Sequence, residues 1–387
     1  MNPTAPWVVS KAVLKTFTNI GKARRFARRV DKLGRFSLLI KLVSLLAALN
    51  SIGPAEAQPA EPALMAAITT DHSGSAIAFS PDGKTLAITS EQGVKDTVTF
   101  WDVATKSKLE EISPGKQAPS RLIYSPDGTS LAVFSEFAVH LYELNKRSSR
   151  QLCRSEKYPQ DGIRMITYSP DGKHLATGDF AGRVKLWKID NGKVVADTNR
   201  KGPINDLAFL PDGQTIVGAA DPLPGADSPQ NGIWIWDVKG KRKTRFFNGC
   251  KYPVQRLAVS PDGKTVVTSS YSNEVWLWDI EKERVREKWS AQFNLVHAVT
   301  FSRDGRVLIA AGGHGNLPGS RLFPGQVTIW DARTGKRLQT FKALDVTIGK
   351  IALSPDGKLL AVSPSEHLLK VNVWDISRLV PNDDRPK

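Results

Sequence analysis

Short apolar segments alternate with polar turns along most of the chain, and residues 257–280 show one unit of this pattern. The Pro-Asp-Gly sequence at 261–263 predicts a tight turn, because proline presets the first turn angle and glycine accepts a positive φ. The segments on either side are short, and several are rich in β-branched or aromatic residues, which favours strands. The predicted strands of this unit are 257–259, 264–268, 275–278 and 284–289.

The same unit occurs seven times. Each copy contains a Ser-Pro-Asp-Gly-type turn and, at the end of its third strand, a Trp-Asp-type pair. Successive turns lie roughly 41 to 52 residues apart, which is the period of a four-stranded propeller blade. The turns begin at Ser80, Ser125, Ser169, Leu210, Ser260, Ser302 and Ser354. The pairs are Trp101-Asp102, Tyr142-Glu143, Trp187-Lys188, Trp236-Asp237, Trp278-Asp279, Trp330-Asp331 and Trp374-Asp375.

One four-stranded sheet cannot cover both of its apolar faces. Neighbouring units must therefore pack against one another around an axis, and seven of them suffice to close a ring. We predict an all-β fold, a seven-bladed β-propeller of four-stranded antiparallel blades.

The seven turns and Trp positions resemble the WD-repeat, or β-transducin-type, propeller family over about residues 62–378. In that family an N-terminal strand completes the last blade, so the resemblance implies that residues 64–70 close the ring. Many members carry Gly-His before the first strand, where this chain has Gly115-Lys116 and Gly249-Cys250. The chain is accordingly identified as a bacterial-type exported member of the family with degenerate Gly-His positions.

The N-terminal segment differs in composition from the repeats. Residues 1–41 hold ten basic residues and one acidic residue, an uncharged apolar run follows at 42–49, and Ala55-Glu56-Ala57 is a small-x-small site. This order is typical of a secretory signal cleaved after Ala57, and it predicts an exported protein, periplasmic or extracellular. The predicted domains are a signal or targeting segment (1–57), a linker (58–62), the propeller (63–380) and a polar tail (381–387).

The unusual length of the basic region leaves other roles open. An uncleaved segment would anchor the protein to a membrane, although the apolar run is short for a span. Phe17, Ile20 and other apolar residues fall near helical spacing, which also fits a basic amphipathic helix at a membrane surface or an organelle transit peptide. A start site assigned too far upstream would account for the first ten or so residues.

The charge of the chain depends on whether this segment stays. The full sequence has a formal net charge of +16, but residues 1–57 contribute ten basic and two acidic residues, so the remainder carries +8. A charge of that size on a chain this long fits solubility or weak attraction to acidic surfaces. Nucleic-acid binding is not predicted.

Residue types that could take part in catalysis or ligand binding recur at the same structural positions of the repeats. The turn aspartates precede glycine, where Asp bonds nearby backbone amides, and alternating tryptophans such as Trp276 and Trp278 suit packing against an adjacent blade. The six histidines have no metal-ligand spacing, and the sequence has neither a phosphate-binding glycine loop nor a nucleophile elbow. Cys153 and Cys250 lie in non-adjacent units and are expected to be buried free thiols. No catalytic residue, metal or cofactor is predicted.

Two insertions and a set of charged residues mark one face of the predicted ring. Residues 221–231 and 312–326 lengthen connections between second and third strands, on the face that also carries the links between blades. Near this rim the innermost strands begin with mostly basic residues. These predicted partner-binding residues are Arg121, Arg164, Asp206, Arg256, His297 and Lys350.

The predicted function is a non-catalytic scaffold that presents this loop-rich face to a partner protein, and the basic rim favours an acidic partner. The alternative is a propeller enzyme of hydrolase, lactonase or quinoprotein type, with Asp206 and His297 as candidates at the channel mouth. We expect the propeller to be a monomer that touches a membrane only through an uncleaved N-terminal segment.

Overall fold

The computed structural model divides the chain into two units, residues 1–58 and 59–387, and all the described residues belong to the second. The predicted signal segment 1–57, the tail 381–387 and most of the linker lie outside the described residues, so their assignments stay predictions. The described residues are 61–70, 76–90, 97–113, 119–134, 138–155, 162–199, 202–220, 231–240, 244–313, 324–365 and 370–380.

Seven four-stranded antiparallel sheets form the blades, which confirms the predicted all-β propeller. From the innermost strand outwards, the first three blades are β2 (Ile77–Phe79), β3 (Thr85–Ser90), β4 (Thr97–Asp102) and β5 (Lys108–Ile112); β6 (Arg121–Tyr124), β7 (Ser130–Phe134), β8 (Ala138–Glu143) and β9 (Ser148–Arg154); and β10 (Ile163–Tyr168), β11 (His174–Asp179), β12 (Arg183–Lys188) and β13 (Val194–Asn199).

The other four blades repeat this order. They are β14 (Ile204–Phe209), β15 (Thr215–Ala220), β16 (Gly232–Asp237) and β17 (Arg245–Asn248); β18 (Val254–Val259), β19 (Thr265–Ser270), β20 (Glu274–Asp279) and β21 (Arg284–Ser290); β22 (Leu295–Phe301), β23 (Val307–Gly313), β24 (Gly325–Asp331) and β25 (Arg337–Leu344); and β26 (Ile348–Leu353), β27 (Leu359–Pro364), β28 (Lys370–Asp375) and β1 (Ala63–Thr69). A short 3-10 helix, Ser377–Leu379, follows the last blade.

The N-terminal strand closes the ring as predicted. β1 pairs antiparallel with β28, with Leu64 opposite Trp374 and Thr69 opposite Lys370. The chain thus completes its last blade with its first strand, and the open edge that β28 would otherwise present is covered. The strand ends at Thr69, one residue before the predicted limit.

Burial is highest in the two middle strands of a blade and lowest in the outer strand. Every residue of β19 is buried, whereas exposed and half-buried residues alternate along β13. Trp234, Trp236, Trp276 and Trp278 are all buried, which confirms that they pack in the core. The Trp278 Nε1–H donates to Thr268 Oγ1 at 2.9 Å, so its one polar atom is satisfied without solvent.

The Ser-Pro-Asp-Gly turns hold each blade to the preceding one. Gly128 has a φ of +72°, and a Cβ there would lie 3.5 Å from Pro81 Cδ of the previous turn. A Cβ at Gly83 would likewise lie 3.5 Å from Pro355 Cδ, so the first turn meets the last. The positive φ therefore requires glycine at this position of the turn. The turns contact one another in sequence around the ring, and the first turn contacts the last.

Candidate functional site at the channel mouth

The propeller has two unlike faces. The turn face carries the seven Ser-Pro-Asp-Gly-type turns, and the loop face carries the second-to-third-strand connections and the links between blades. Of the two predicted insertions, residues 221–230 and 314–323 lie outside the described residues. The described part of the loop face is therefore built by the starts of the innermost strands and by the shorter connections.

Strand pairing places four of the six predicted residues at one equivalent position. Each stands opposite the fifth residue of the second strand of its blade. The pairs are Arg121 with Phe134, Asp206 with Ala219, Arg256 with Ser269, and Lys350 with Ser363. In the other three blades this position holds Ala76, Met165 and Ala298.

The other two predicted residues, Arg164 and His297, stand one position earlier in their strands. Both lie where the register shifts, between Ile163 and Met165 and between Val296 and Ala298. A bulge re-aims side chains near a strand end, so these residues belong to the rim without occupying the equivalent position. The Arg164 guanidinium carbon lies 5.2 Å from the ring centroid of Phe180.

Asp206 is fixed by backbone amides. Its Oδ1 accepts from the N–H of Leu207 at 3.0 Å, and its Oδ2 accepts from the N–H of Leu257 at 3.0 Å. Because Leu257 belongs to the next blade, this carboxylate connects the fourth and fifth blades at the channel. No ion pair within 4.0 Å joins Asp206 to a cation in the described part of the chain.

Arg256 is held by carbonyl oxygens. Its Nη1 donates to Gln255 O at 2.8 Å and to Asn205 O at 3.3 Å. Asn205 is itself buried, and its Nδ2 donates to Val254 O at 2.9 Å. The guanidinium is thus positioned by the two adjoining innermost strands, and its Nε and Nη2 make no hydrogen bond with any described residue.

Arg121 and Lys350 are half-buried, and within the described ranges their charged groups have no hydrogen-bond or ion-pair partner. Burial lowers the pKa of Arg121 to about 10, and repulsion from Arg256 acts in the same direction. Burial, followed by repulsion from Arg121 and Arg256, holds the pKa of Lys350 well below its ordinary value. Asp206 opposes both changes without cancelling them.

The innermost strands place these charges at the central channel. Arg121 and Arg256 come from the second and fifth blades, which are as far apart as seven blades allow, and each stands at the same position of its innermost strand. They therefore border the channel from different sides, and repulsion from Arg256 helps to lower the pKa of Arg121. His297 lies in the innermost strand of the sixth blade, and burial followed by repulsion from Arg256 and Lys350 lowers its pKa below 6.5.

Among the residues that the structure describes, three aromatic side chains are exposed on the same loop face. Phe180 and Tyr271 lie in second-to-third-strand connections and are 38% and 58% exposed, and Tyr252 lies in the link before β18 and is 40% exposed. The Lys251 ammonium lies 5.2 Å from the Tyr252 ring centroid. The repeat pattern does not predict these aromatics, but each stands where a turn residue is expected, and that is the signal that marks them.

The carboxylates of the turn face have architectural roles. Ser125 Oγ donates to Asp127 Oδ1 at 2.6 Å, and the N–H of Thr129 donates to the same oxygen at 3.0 Å. These hydrogen bonds, the one from the Ser125 hydroxyl first, lower the pKa of Asp127. The acids after tryptophan bond backbone amides in the same way, as when the Thr105 N–H donates to Asp102 at 2.7 Å. Both sets confirm the structural roles inferred from the sequence.

The two cysteines are buried free thiols, as predicted, and burial raises the pKa of each to about 12. Within the described residues, no group of three or more His, Cys, Asp or Glu side chains could hold a metal ion. The same part of the chain has no helix long and apolar enough to cross a membrane.

Comparison with known proteins finds WD repeats in this chain. The WD domain, G-beta repeat family matches residues 152–188 and 241–279. Target of rapamycin complex subunit wat1 of Schizosaccharomyces pombe is 24% identical over 77% of this chain and 76% of its own length.

Two further relatives match over a smaller part of their own length. Telomerase protein component 1 of Mus musculus is 23% identical over 80% of this chain, which spans 11% of that protein. WD repeat-containing protein WDS homolog of Arabidopsis thaliana is 30% identical over 28% of this chain, which spans 20% of that protein. The chain thus carries WD repeats on a seven-bladed propeller, and one of these relatives is itself named as a WD repeat-containing protein.

Proposed function

We propose that this chain is a non-catalytic scaffold that binds a partner protein on its loop face. The observation that carries the proposal is the pairing of exposed aromatics with cations on that face: Phe180 beside Arg164, and Tyr252 beside Lys251. Tyrosine, phenylalanine and arginine are enriched where proteins bind one another, because they offer large contact areas with little loss of side-chain entropy. One relative is itself named as a subunit of a complex.

The partner that best fits this face is acidic. Arg121, Arg164, Arg256 and Lys350 face or border the channel mouth, and Asp206 is the one carboxylate among the predicted site residues. Complementary charge would speed association and fix the orientation of the partner. The same charges would make binding weaker as salt rises, since exposed charges are screened over about 8 to 10 Å near physiological ionic strength.

The enzyme alternative is the weaker of the two functions. A hydrolase, lactonase or quinoprotein site would need a set of convergent catalytic groups at the channel mouth. His297 faces two cations, and both oxygens of Asp206 accept backbone N–H groups, so the described residues do not join these two side chains as an acid–base pair. No observation favours the enzyme.

The test is capture of a partner by the immobilised propeller from an extract of its own compartment, with identification by mass spectrometry. Arg121, Arg164, Arg256 and Lys350 are replaced together by Glu, and the matched control replaces Lys84, Lys173, Lys264 and Lys358, which are exposed on the turn face. The first set should weaken binding by about 3 kcal/mol or more, because like charges at an interface repel. Equal loss from both sets, or capture that is indifferent to salt, would contradict the proposal.

The aromatics provide an independent arm of the same test. Replacing Tyr252 and Tyr271 by Ala should weaken capture, while replacing Val194 and Val195 by Ala should not. All four side chains are between 40% and 58% exposed, but the valines lie on the outer strand β13 instead of the loop face. Loss from the valine pair and not from the tyrosine pair would move the site to the side of the ring.

We also propose that the protein is exported and cleaved after Ala57. The support is the order of basic region, apolar run and small-x-small site. N-terminal sequencing of the exported protein should give Gln58 as the first residue. A protein that keeps Met1 and is recovered from the cytosol would contradict export, and an intact terminus in the membrane fraction would favour the anchored alternative.

A further inference from the structure

The channel mouth holds more positive than negative charge. Arg121, Arg256 and Lys350 come from the second, fifth and seventh blades and occupy the equivalent position of their innermost strands. The same position in the fourth blade supplies Asp206, whose two oxygens already accept backbone N–H groups. Three cations therefore share one carboxylate that forms no ion pair with them among the described residues.

Such an arrangement costs free energy when it is empty. Like charges that are partly removed from water repel one another, and each also loses hydration. In a scaffold with no other requirement here, small apolar residues would serve, as Ala76 and Ala298 do at the same position of the first and sixth blades. A bound anion would compensate these charges.

We propose that the channel mouth binds inorganic phosphate between Arg121, Arg256 and Lys350. This site goes beyond the proposed function, because it needs no protein partner and lies within the ring of innermost strands. Planar guanidinium groups donate paired hydrogen bonds to oxyanions, and an ammonium adds a compact charge with three donors. Arg256 uses Nη1 for its two backbone carbonyls and leaves Nε and Nη2 for a ligand.

Asp206 favours phosphate over other oxyanions. Each carboxylate oxygen accepts one backbone N–H and keeps further acceptor capacity. Monohydrogen phosphate carries an O–H that can donate to such an oxygen, whereas sulfate and a fully ionised phosphate monoester have no proton to donate and would be repelled. The carboxylate therefore selects against anions that lack a donor.

Binding should be linked to the proton on Lys350. Burial and the neighbouring cations lower the pKa of this ammonium, so its charged form is disfavoured in the empty site. The cost is fully present below the lowered pKa and disappears as pH rises past the ordinary value of 10.5. A bound dianion would reverse the shift, so removing this charge should stabilise the empty protein and weaken phosphate binding together.

The experiment measures the melting temperature of the full chain at pH 7.5 and constant ionic strength, with chloride replaced stepwise by phosphate, sulfate or glycerol phosphate. We expect a saturable rise for phosphate and a weaker response to the other two. Lys350→Met and Arg121→Gln should each weaken the phosphate response by about ten-fold or more, since a charge-assisted hydrogen bond is lost. Lys350→Met should also melt at the same temperature as the unaltered protein, or higher, without phosphate.

Lys264→Met and Lys358→Met are the matched controls, because both lysines are exposed on the turn face. They should leave the phosphate response unchanged. Absence of a saturable response in the unaltered protein, or an equal response in every variant, would overturn the site. Where Arg121→Gln folds poorly, Lys350→Met decides, since Lys350 makes no hydrogen bond within the described residues.

Two further arms identify the ligand. Asp206→Asn should bring the affinities for phosphate and sulfate within a few fold of each other, and an unchanged preference for phosphate would overturn the role given to Asp206. A response to glycerol phosphate stronger than to inorganic phosphate would overturn inorganic phosphate as the ligand. Because no partner is present in this assay, its failure leaves the capture experiment and the proposed scaffold function untouched.

Discussion

The turn face and the loop face of this propeller differ in whether their charged side chains have partners within the fold. On the turn face, each aspartate of the Ser-Pro-Asp-Gly-type turns, such as Asp127, accepts from a hydroxyl and from a backbone N–H, and the lysines beside the turns extend into solvent. At the channel mouth, Arg121 and Lys350 are half-buried without partners in the described part of the chain. A face whose charges are satisfied within the fold contributes stability, and a face whose charges are not satisfied is suited to a ligand.

Deleting residues 61–70 should have the largest effect, because both faces depend on one closed ring. The deletion removes β1 and exposes the edge of β28. It should abolish most of a folding free energy that is typically about 5–15 kcal/mol, seen as aggregation or a large fall in melting temperature. The matched control, Leu64→Ser with Met65→Ser, alters two exposed residues of the same strand and should have a small effect. An unchanged melting temperature in the deletion would show that the ring closes without β1.

Trp278→Ala should cause the second largest loss of stability. It alters the core between the two faces and does not alter either face directly. Trp278 is fully buried, and its Nε1–H donates to Thr268. The substitution should cost about 3–5 kcal/mol of unfolding free energy, measured by denaturant titration. Tyr271→Ala, which removes a 58% exposed side chain, is the control and should cost little. Similar losses from both would mean that Tyr271 is packed and not free to bind.

Asp127→Asn should weaken the turn face by about 1–2 kcal/mol at neutral pH. Hydrogen bonds from Ser125 and then Thr129 lower the pKa of Asp127 below 3.8, so its contribution is fully present above that value. The contribution is lost as pH falls through the lowered pKa, because the folded state then gains the proton. Melting temperatures of variant and parent should therefore converge in acid. Asp190→Asn, at an exposed carboxylate 3.7 Å from Lys188, should have little effect at pH 7.

His297→Gln should give the smallest change in stability. The change should appear in the pH range in which this residue of the channel mouth titrates. Burial, then Arg256 and Lys350, lower the pKa of His297 below 6.5, so stability is full above about 6.5 and falls as pH drops towards the lowered value. Each pKa unit is worth about 1.4 kcal/mol. The variant should lose this step in a melting profile between pH 7 and 5, and phosphate should reduce the step in the parent. A step of equal size in the variant would assign it to His140, whose pKa burial also lowers.

Much of the fold could be predicted because each repeat has the same local sequence pattern. The Pro-Asp-Gly turns, the β-branched strands and the period of about 41 to 52 residues are local properties, and seven agreeing copies outweigh irregularities such as Arg303 in the sixth turn. The closing strand was also predictable, since the seventh unit has only three strands of its own. Strand limits differed by one or two residues, as in Thr265–Ser270, because strand ends depend on pairing partners.

The candidate site was predictable only in outline. The basic strand starts are visible in the sequence, and counting back from the turns separates them into two sets. Four stand four residues before their turn (Arg121, Asp206, Arg256 and Lys350), and two stand five residues before it (Arg164 and His297). What the sequence does not show is the pairing: Arg164 and His297 fall inside a register shift, whereas the other four stand opposite a residue of the second strand. The exposed aromatics of the loop face were missed, because exposure of a side chain in a connection depends on what packs over it.

The sequence by itself determined the number of blades, the tight turns and the residues that fill the core, since these follow from local conformation and from the alternation of apolar side chains. Only the tertiary structure decided that Arg121 and Arg256 repel each other across the channel and that Asp206 is occupied by the Leu257 amide. These residues lie far apart in sequence and in different blades. Their interaction depends on the distance that ring closure sets, and no local pattern encodes that distance.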